Sequence, residues 1–137
     1  MKGYLQTDGA CRGNPGPSGI GYVIRDASHK IVETGAFFIG ESTNNRAEYI
    51  ALVEGLEAAC KLGFTEIEVK LDSEVVVKQI NGVYRVKESK LADMHQWAME
   101  LFAQFESWQV GWIPRMRNAL ADKLANDGID NHLKVGA

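Results

Sequence analysis

Apolar and polar positions divide this chain into short runs of period two and longer stretches of helical period. Residues 3–8 read as a strand that ends on Asp8. In the run GIGYVI, Ile20, Tyr22 and Ile24 alternate with Gly19, Gly21 and Val23, which predicts a second strand. Residues 9–18, rich in glycine and proline, form a loop between them. DASHK is a turn, and IVETGAFFIG is a third strand close enough to the second for a hairpin. A helix is predicted over residues 43–62, with Thr43 or Asn44 as its cap and Gly63 as its stop. In TEIEVKLD, Ile67, Val69 and Leu71 point one way and Glu68, Lys70 and Asp72 the other, as in a half-buried strand. SEVVVKQING reads as a short helix ending at Asn81-Gly82, although its valines also suit a strand. Residues 89–106 carry Leu91, Met94, Ala98, Leu101, Phe102 and Phe105 on one stripe of a long amphipathic helix, with His95 packed on that stripe. SWQVGWIP is a fifth strand with Trp108, Val110 and Trp112 on one face. The last helix spans residues 118–127, and residues 129–137 form a short, loosely held tail.

The order βββαβααβα implies an α/β fold in which a three-strand meander joins a mixed sheet with helices on its faces. The chain has 137 residues, a size expected for a single domain spanning 1–137. No apolar run approaches the roughly 20 residues of a membrane span and no secretory signal opens the chain, so no membrane association is expected. Cys11 and Cys60 are far apart and form no C-x-x-C pair. They are expected to be free thiols in a reducing, cytoplasmic setting, with no zinc site. The formal net charge is −3, which argues against a broad basic binding surface. A protein that borrows positive charge from bound cations stays open.

Four acids point to such cations. Asp8 and Asp72 stand at the C-terminal ends of strands, where open α/β sheets place ligands. Glu48 shares a helix face with Ala51, Leu52, Gly55 and Ala59, the stripe that packs on the sheet, whereas Glu54 and Glu57 lie on the wet face. A carboxylate on a packing face is costly unless it is compensated, and Gly55 lets the helix lie close. Asp122 is about one turn into the last helix, on a face with Asn118, Ala125 and Asn126. Taken singly, each aspartate is an ordinary turn, cap or first-turn acid. Together, the four would repel strongly without hard divalent cations, for which oxygen ligands are suited.

The motifs TDGACRGNPGPSGIG, STNNRAEYIAL, LDSE and RNALADKLAN occur in this order. With them the chain resembles type 1 ribonuclease H over about residues 3–128. The resemblance implies the ribonuclease H-like fold: a five-stranded mixed sheet, three antiparallel strands plus two parallel ones, with helices on both faces. It implies a metal-dependent endoribonuclease that cuts the RNA strand of RNA–DNA hybrids and leaves 5′-phosphate and 3′-hydroxyl ends. The metal-binding catalytic residues would be Asp8, Glu48, Asp72 and Asp122, holding two Mg²⁺ ions for which Mn²⁺ can substitute. Asn14 and Thr43 match a pocket for a DNA phosphate, and Asn44 and Asn45 match positions in the minor groove, where amides both donate and accept. Arg46 is expected to be structural. No obligate protein partner is implied, and a monomer is the default.

The sequence departs from that pattern in three places. Many members carry a histidine ten residues before the last acid, and here that position is Trp112. Arg115 could take over part of that task by contacting phosphate, but its guanidinium cannot act as a general acid. A basic insertion found in some relatives is reduced to NGVYRVKESK, in which Lys78, Arg85, Lys87 and Lys90 form a modest basic cluster. Glu74 adds a negative charge where some relatives are neutral. The expected outcome is activity at reduced rate. The alternatives are a weakly active or non-catalytic nucleic-acid-binding protein, or a related nuclease acting on double-stranded RNA.

Overall fold

A computed structural model of the chain describes residues 1–135. Strands β1 (Lys2–Cys11), β2 (Gly16–Arg25) and β3 (Ile31–Ser42) form an antiparallel meander. Helix α1 (Asn44–Lys61) then leads to β4 (Glu66–Leu71), which lies parallel to β1. Helices α2 (Glu74–Ile80) and α3 (Ser89–Phe102) precede β5 (Ser107–Trp112), parallel to β4. A 3₁₀ turn at Arg115–Asn118 runs into α4 (Ala119–Val135). The sheet order is β3-β2-β1-β4-β5, the mixed sheet expected.

The main core lies between the sheet and α1–α3. Leu5, Tyr22, Ile24, Ile67, Val69 and Leu71 from the strands meet Tyr49, Leu52, Leu56, Val76, Leu101 and Phe102 from the helices, all buried. The packing stripe of α1 is the one its spacing indicates, with Glu48, Ala51, Leu52, Gly55 and Ala59 buried. Thr43 is the N-cap of α1, and its hydroxyl accepts the Arg46 N–H at 3.4 Å. His95 sits half-buried on α3, with a ring nitrogen 3.2 Å from the Gln79 carbonyl oxygen and its ring edge-on to Tyr49.

Helix α4 covers the meander on the opposite face. Its approach depends on Gly21, where a Cβ would overlap the Ala121 carbonyl oxygen and lie 2.6 Å from the Ala125 nitrogen. Three boundaries differ from expectation. β1 and β2 extend into the glycine-proline segment, leaving only residues 12–15 as loop. α3 stops at Phe102, and Phe105 packs in the core from the turn that follows. The expected loose tail is mostly helix: α4 continues to Val135, Ile129 is fully buried, and His132 stacks on Phe38 at 3.7 Å. A polar stretch holding one buried isoleucine hides that continuation from a periodicity argument. Residues 136–137 of the expected tail lie outside the described residues.

Candidate functional site

Parallel pairing of β1 with β4 brings Asp8, near the end of β1, beside Asp72, which directly follows β4. Helix α1 descends onto β1 at Gly9, where a Cβ would stand 2.7 Å from the Glu48 nitrogen and 2.8 Å from the Ala47 Cβ. Glycine at that point puts Glu48 against the strand, and the Gly9 N–H donates to Glu48 Oε1 at 3.2 Å. Asp8, Glu48 and Asp72 each offer an oxygen within 4.8 Å of the others. Asp8 and Glu48 are buried.

Three ionised carboxylates at such separation repel by about 3 kcal/mol per pair at an effective dielectric of about 20. Protonation responds accordingly. Burial, followed by the charge of Glu48, holds the Asp8 carboxyl well above neutrality. Burial also raises Glu48, opposed by its hydrogen bonds with Asp8 and the Gly9 N–H. Among the described residues, no lysine or arginine is ion-paired with any of the three. Glu48 Oε2 is buried with no hydrogen-bond partner. An orphaned carboxylate oxygen inside a cluster of hard oxygen donors fits a divalent cation, which satisfies that oxygen and removes the repulsion together.

Asp122 lies outside this tight group but lines the same cleft of ≈ 420 Å³. Asn126 Nδ2 donates to its carbonyl at 3.0 Å and to Oδ1 at 3.5 Å, and Arg115 Nη2 stands 3.7 Å from Oδ1. Asn44, Asn45 and Arg115 line the cleft with it. Asn14 and Thr43 sit one step away, in a shallow pocket shared with Asn44, Asn45 and Glu88. Asn14 Oδ1 accepts the Asn44 N–H at 3.0 Å, so it ties the loop to the start of α1 and leaves its amide NH₂ free.

Sequence reasoning missed a buried positioning residue, Asn118. Its Nδ2 donates to Asp72 Oδ2 at 3.0 Å and to the Thr7 carbonyl at 2.9 Å. Gln6 Nε2 reaches Asn118 Oδ1 at 3.4 Å and the Arg117 carbonyl at 3.0 Å, and Arg25 donates to Gln6 Oε1 at 2.6 Å. The available signal was an asparagine just ahead of a helix whose first turn carries an acid.

The reverse transcriptase-like family pattern matches residues 6–128. A ribonuclease H of Coxiella burnetii is 34% identical over 148 residues, covering 98% of this chain and 94% of its own length. The chain belongs to the ribonuclease H family. A bifunctional protein of Mycobacterium tuberculosis is 44% identical over 95% of this chain, which spans only 36% of that relative's length. The crystal structure of RNase H1 from Halobacterium salinarum superposes with a TM-score of 0.94 at 40% identity, covering 96% of this chain and 99% of that one. LC11-RNase H1, solved in complex with an RNA/DNA hybrid, gives 0.91 at 40% identity with the same coverage.

This ribonuclease H chain places Trp112 at the end of β5, half-exposed, where its Nε1 donates to the Asp72 carbonyl at 3.2 Å. The indole therefore braces the strand end that carries Asp72. Glu74 forms an exposed ion pair within its own helix with Lys78 at 2.8 Å, and Lys78 also donates to the Tyr84 hydroxyl. Both cysteines are free, and no helix among the described residues is long and apolar enough to cross a membrane.

Proposed function

We propose that this chain is an endonuclease that hydrolyses the RNA strand of RNA–DNA hybrids, leaving 5′-phosphate and 3′-hydroxyl ends. The observation that carries the proposal is the buried Asp8–Glu48–Asp72 cluster with Glu48 Oε2 unpartnered. Asp8, Glu48 and Asp72 would hold Mg²⁺, or Mn²⁺ in its place, and Asp122 would complete a two-ion site from the cleft wall. When bound, such paired cations polarise phosphoryl oxygens and acidify water.

The chain's own residues do the positioning. Asn118 fixes the Asp72 carboxylate, and the Gly9 N–H fixes one oxygen of Glu48 while the other stays buried without a partner. Thr43 and the free amide of Asn14 receive a DNA phosphate, and Asn44 and Asn45 meet 2′-hydroxyls and base edges. Arg115, 82% exposed and beside Asp122, supplies fixed positive charge to the cleaved strand but no proton. Trp112 brings no titratable group to the cleft, so product departure lacks acid assistance and turnover is slow. We take the chain to act as a monomer in the cytoplasm, in keeping with its two free thiols.

The test is cleavage of labelled RNA–DNA hybrid, RNA duplex and DNA duplex in Mg²⁺, Mn²⁺ or chelator, with Asp8→Asn as the control. Metal-dependent loss of RNA from the hybrid alone, absent in the variant, supports the proposal. Binding without cleavage identifies a non-catalytic binder, and cleavage of the RNA duplex identifies the wrong substrate.

A further inference from the structure

The acidic cleft has two cationic side chains on its wall, and only Arg115 is accounted for above. The other, Arg12, leaves the end of β1 and reaches across to α4. Its Nη1 lies 2.7 Å from Asp130 Oδ1 and its Nη2 donates to Asn126 Oδ1 at 3.3 Å. Asn126 in turn donates to Asp122. Asp122, Asn126 and Asp130 are spaced by four residues, so they form a ladder with rungs about 6 Å apart along one face of α4. Arg115 precedes Asp122 and Arg12 docks one turn beyond it, so the two guanidinium groups bracket that acid.

We propose that Arg12 contacts a backbone phosphate of the hybrid, in the strand held at the acidic cluster and adjacent to the phosphate there. This rests on the hybrid-nuclease reading above. Three physical features support it. The Arg12 side chain is 40% exposed and Asp130 59%, and an ion pair so open to water contributes little to folding. Its effect is to seat the guanidinium on the cleft wall, which lowers the entropy lost when a ligand binds. Arginine has five N–H donors, and two are used here, leaving three for phosphate oxygens in the geometry a guanidinium favours. Finally, a chain of net charge −3 must meet a polyanion with cations fixed at the cleft itself. Arg12 is thus a substrate-contacting residue, and Asp130 and Asn126 are its positioning residues.

The experiment measures kcat and KM on labelled hybrid in Mg²⁺ across a series of KCl concentrations. It uses wild type, Arg12→Gln, Arg12→Lys and Asp130→Asn, each checked for an unchanged unfolding temperature. A lost phosphate contact lowers the slope of log KM against log salt by about 1. Arg12→Gln is expected to show that loss, with KM raised several-fold at low salt and kcat within about threefold. Arg12→Lys keeps the wild-type slope, and Asp130→Asn keeps it too because the cation stays. A wild-type slope in Arg12→Gln overturns the proposal. So does an equal loss in Arg12→Gln and Asp130→Asn with no change of slope, which would make the pair a structural latch. Failure of the wild type to cleave hybrid at all removes the underlying nuclease reading, and that result is visible before any variant is compared.

Discussion

Replacing Asp8 by asparagine should make the metal-free protein more stable while abolishing its activity. In the unfolded chain this carboxyl titrates near 3.8, whereas in the fold burial and Glu48 keep it protonated through neutrality. Each pH unit between the two values costs about 1.4 kcal/mol of stability. From pH 3.8 to pH 7 that amounts to about 4 kcal/mol, a ceiling because the cluster relaxes. A carboxyl raised in this way contributes favourably below its unfolded value, and that contribution is lost as pH climbs toward the native one. Asparagine neither titrates nor repels, and its amide can donate to the Glu48 carboxylate, with which Asp8 is hydrogen-bonded. For a chain of this size the change corresponds to a rise in Tm on the order of 10 °C in EDTA at pH 7. The gain should shrink toward zero near pH 4. Differential scanning calorimetry at pH 4, 7 and 8, in EDTA and in saturating Mg²⁺, reads all of this. Wild type should gain stability from Mg²⁺, and Asp8→Asn little. A variant no more stable than wild type in EDTA at pH 7 would refute the reasoning, as would a gain independent of pH or an undiminished response to Mg²⁺.

Three further outcomes follow from the same geometry. Metal affinity should rise with pH between about 6 and 9, because the proton shared by Asp8 and Glu48 must leave; Mn²⁺ calorimetry in buffers of different ionisation enthalpy should register its release. Asn118→Ala leaves the buried Thr7 carbonyl without this donor and frees Asp72, so it should cost about 1–3 kcal/mol in urea unfolding and raise the Mg²⁺ concentration needed for half-maximal cleavage. Gly21→Ala forces a methyl into the backbone of α4, so a loss of about 1–3 kcal/mol is expected in thermal melts, together with weaker cleavage as Asp122 shifts.

Much of the sheet was legible because its strands alternate cleanly and its turns are marked by glycine and proline. Ile67, Val69 and Leu71 announced their face, and the small-residue stripe of α1 announced Glu48. The end of α4 was not legible, because Asp127, Asp130 and Asn131 hide Ile129, and the His132–Phe38 stack exists only once β3 is alongside. Asn118 escaped for a related reason. An amide ahead of a helix looks like a cap, and its bond to Asp72 depends on two segments 46 residues apart. Asn14 was located but only half understood: its oxygen closes the start of α1, and only its NH₂ is left for a ligand.

The overlap-free seat of α4 on Gly21 has a consequence for the order in which the molecule comes to life. Asp122 reaches the cleft only after α4 has settled on a strand completed about a hundred positions earlier. On the proposed reading, a nascent chain still emerging from the ribosome carries an incomplete set of acids, and would cut no RNA–DNA hybrid until synthesis has passed that helix.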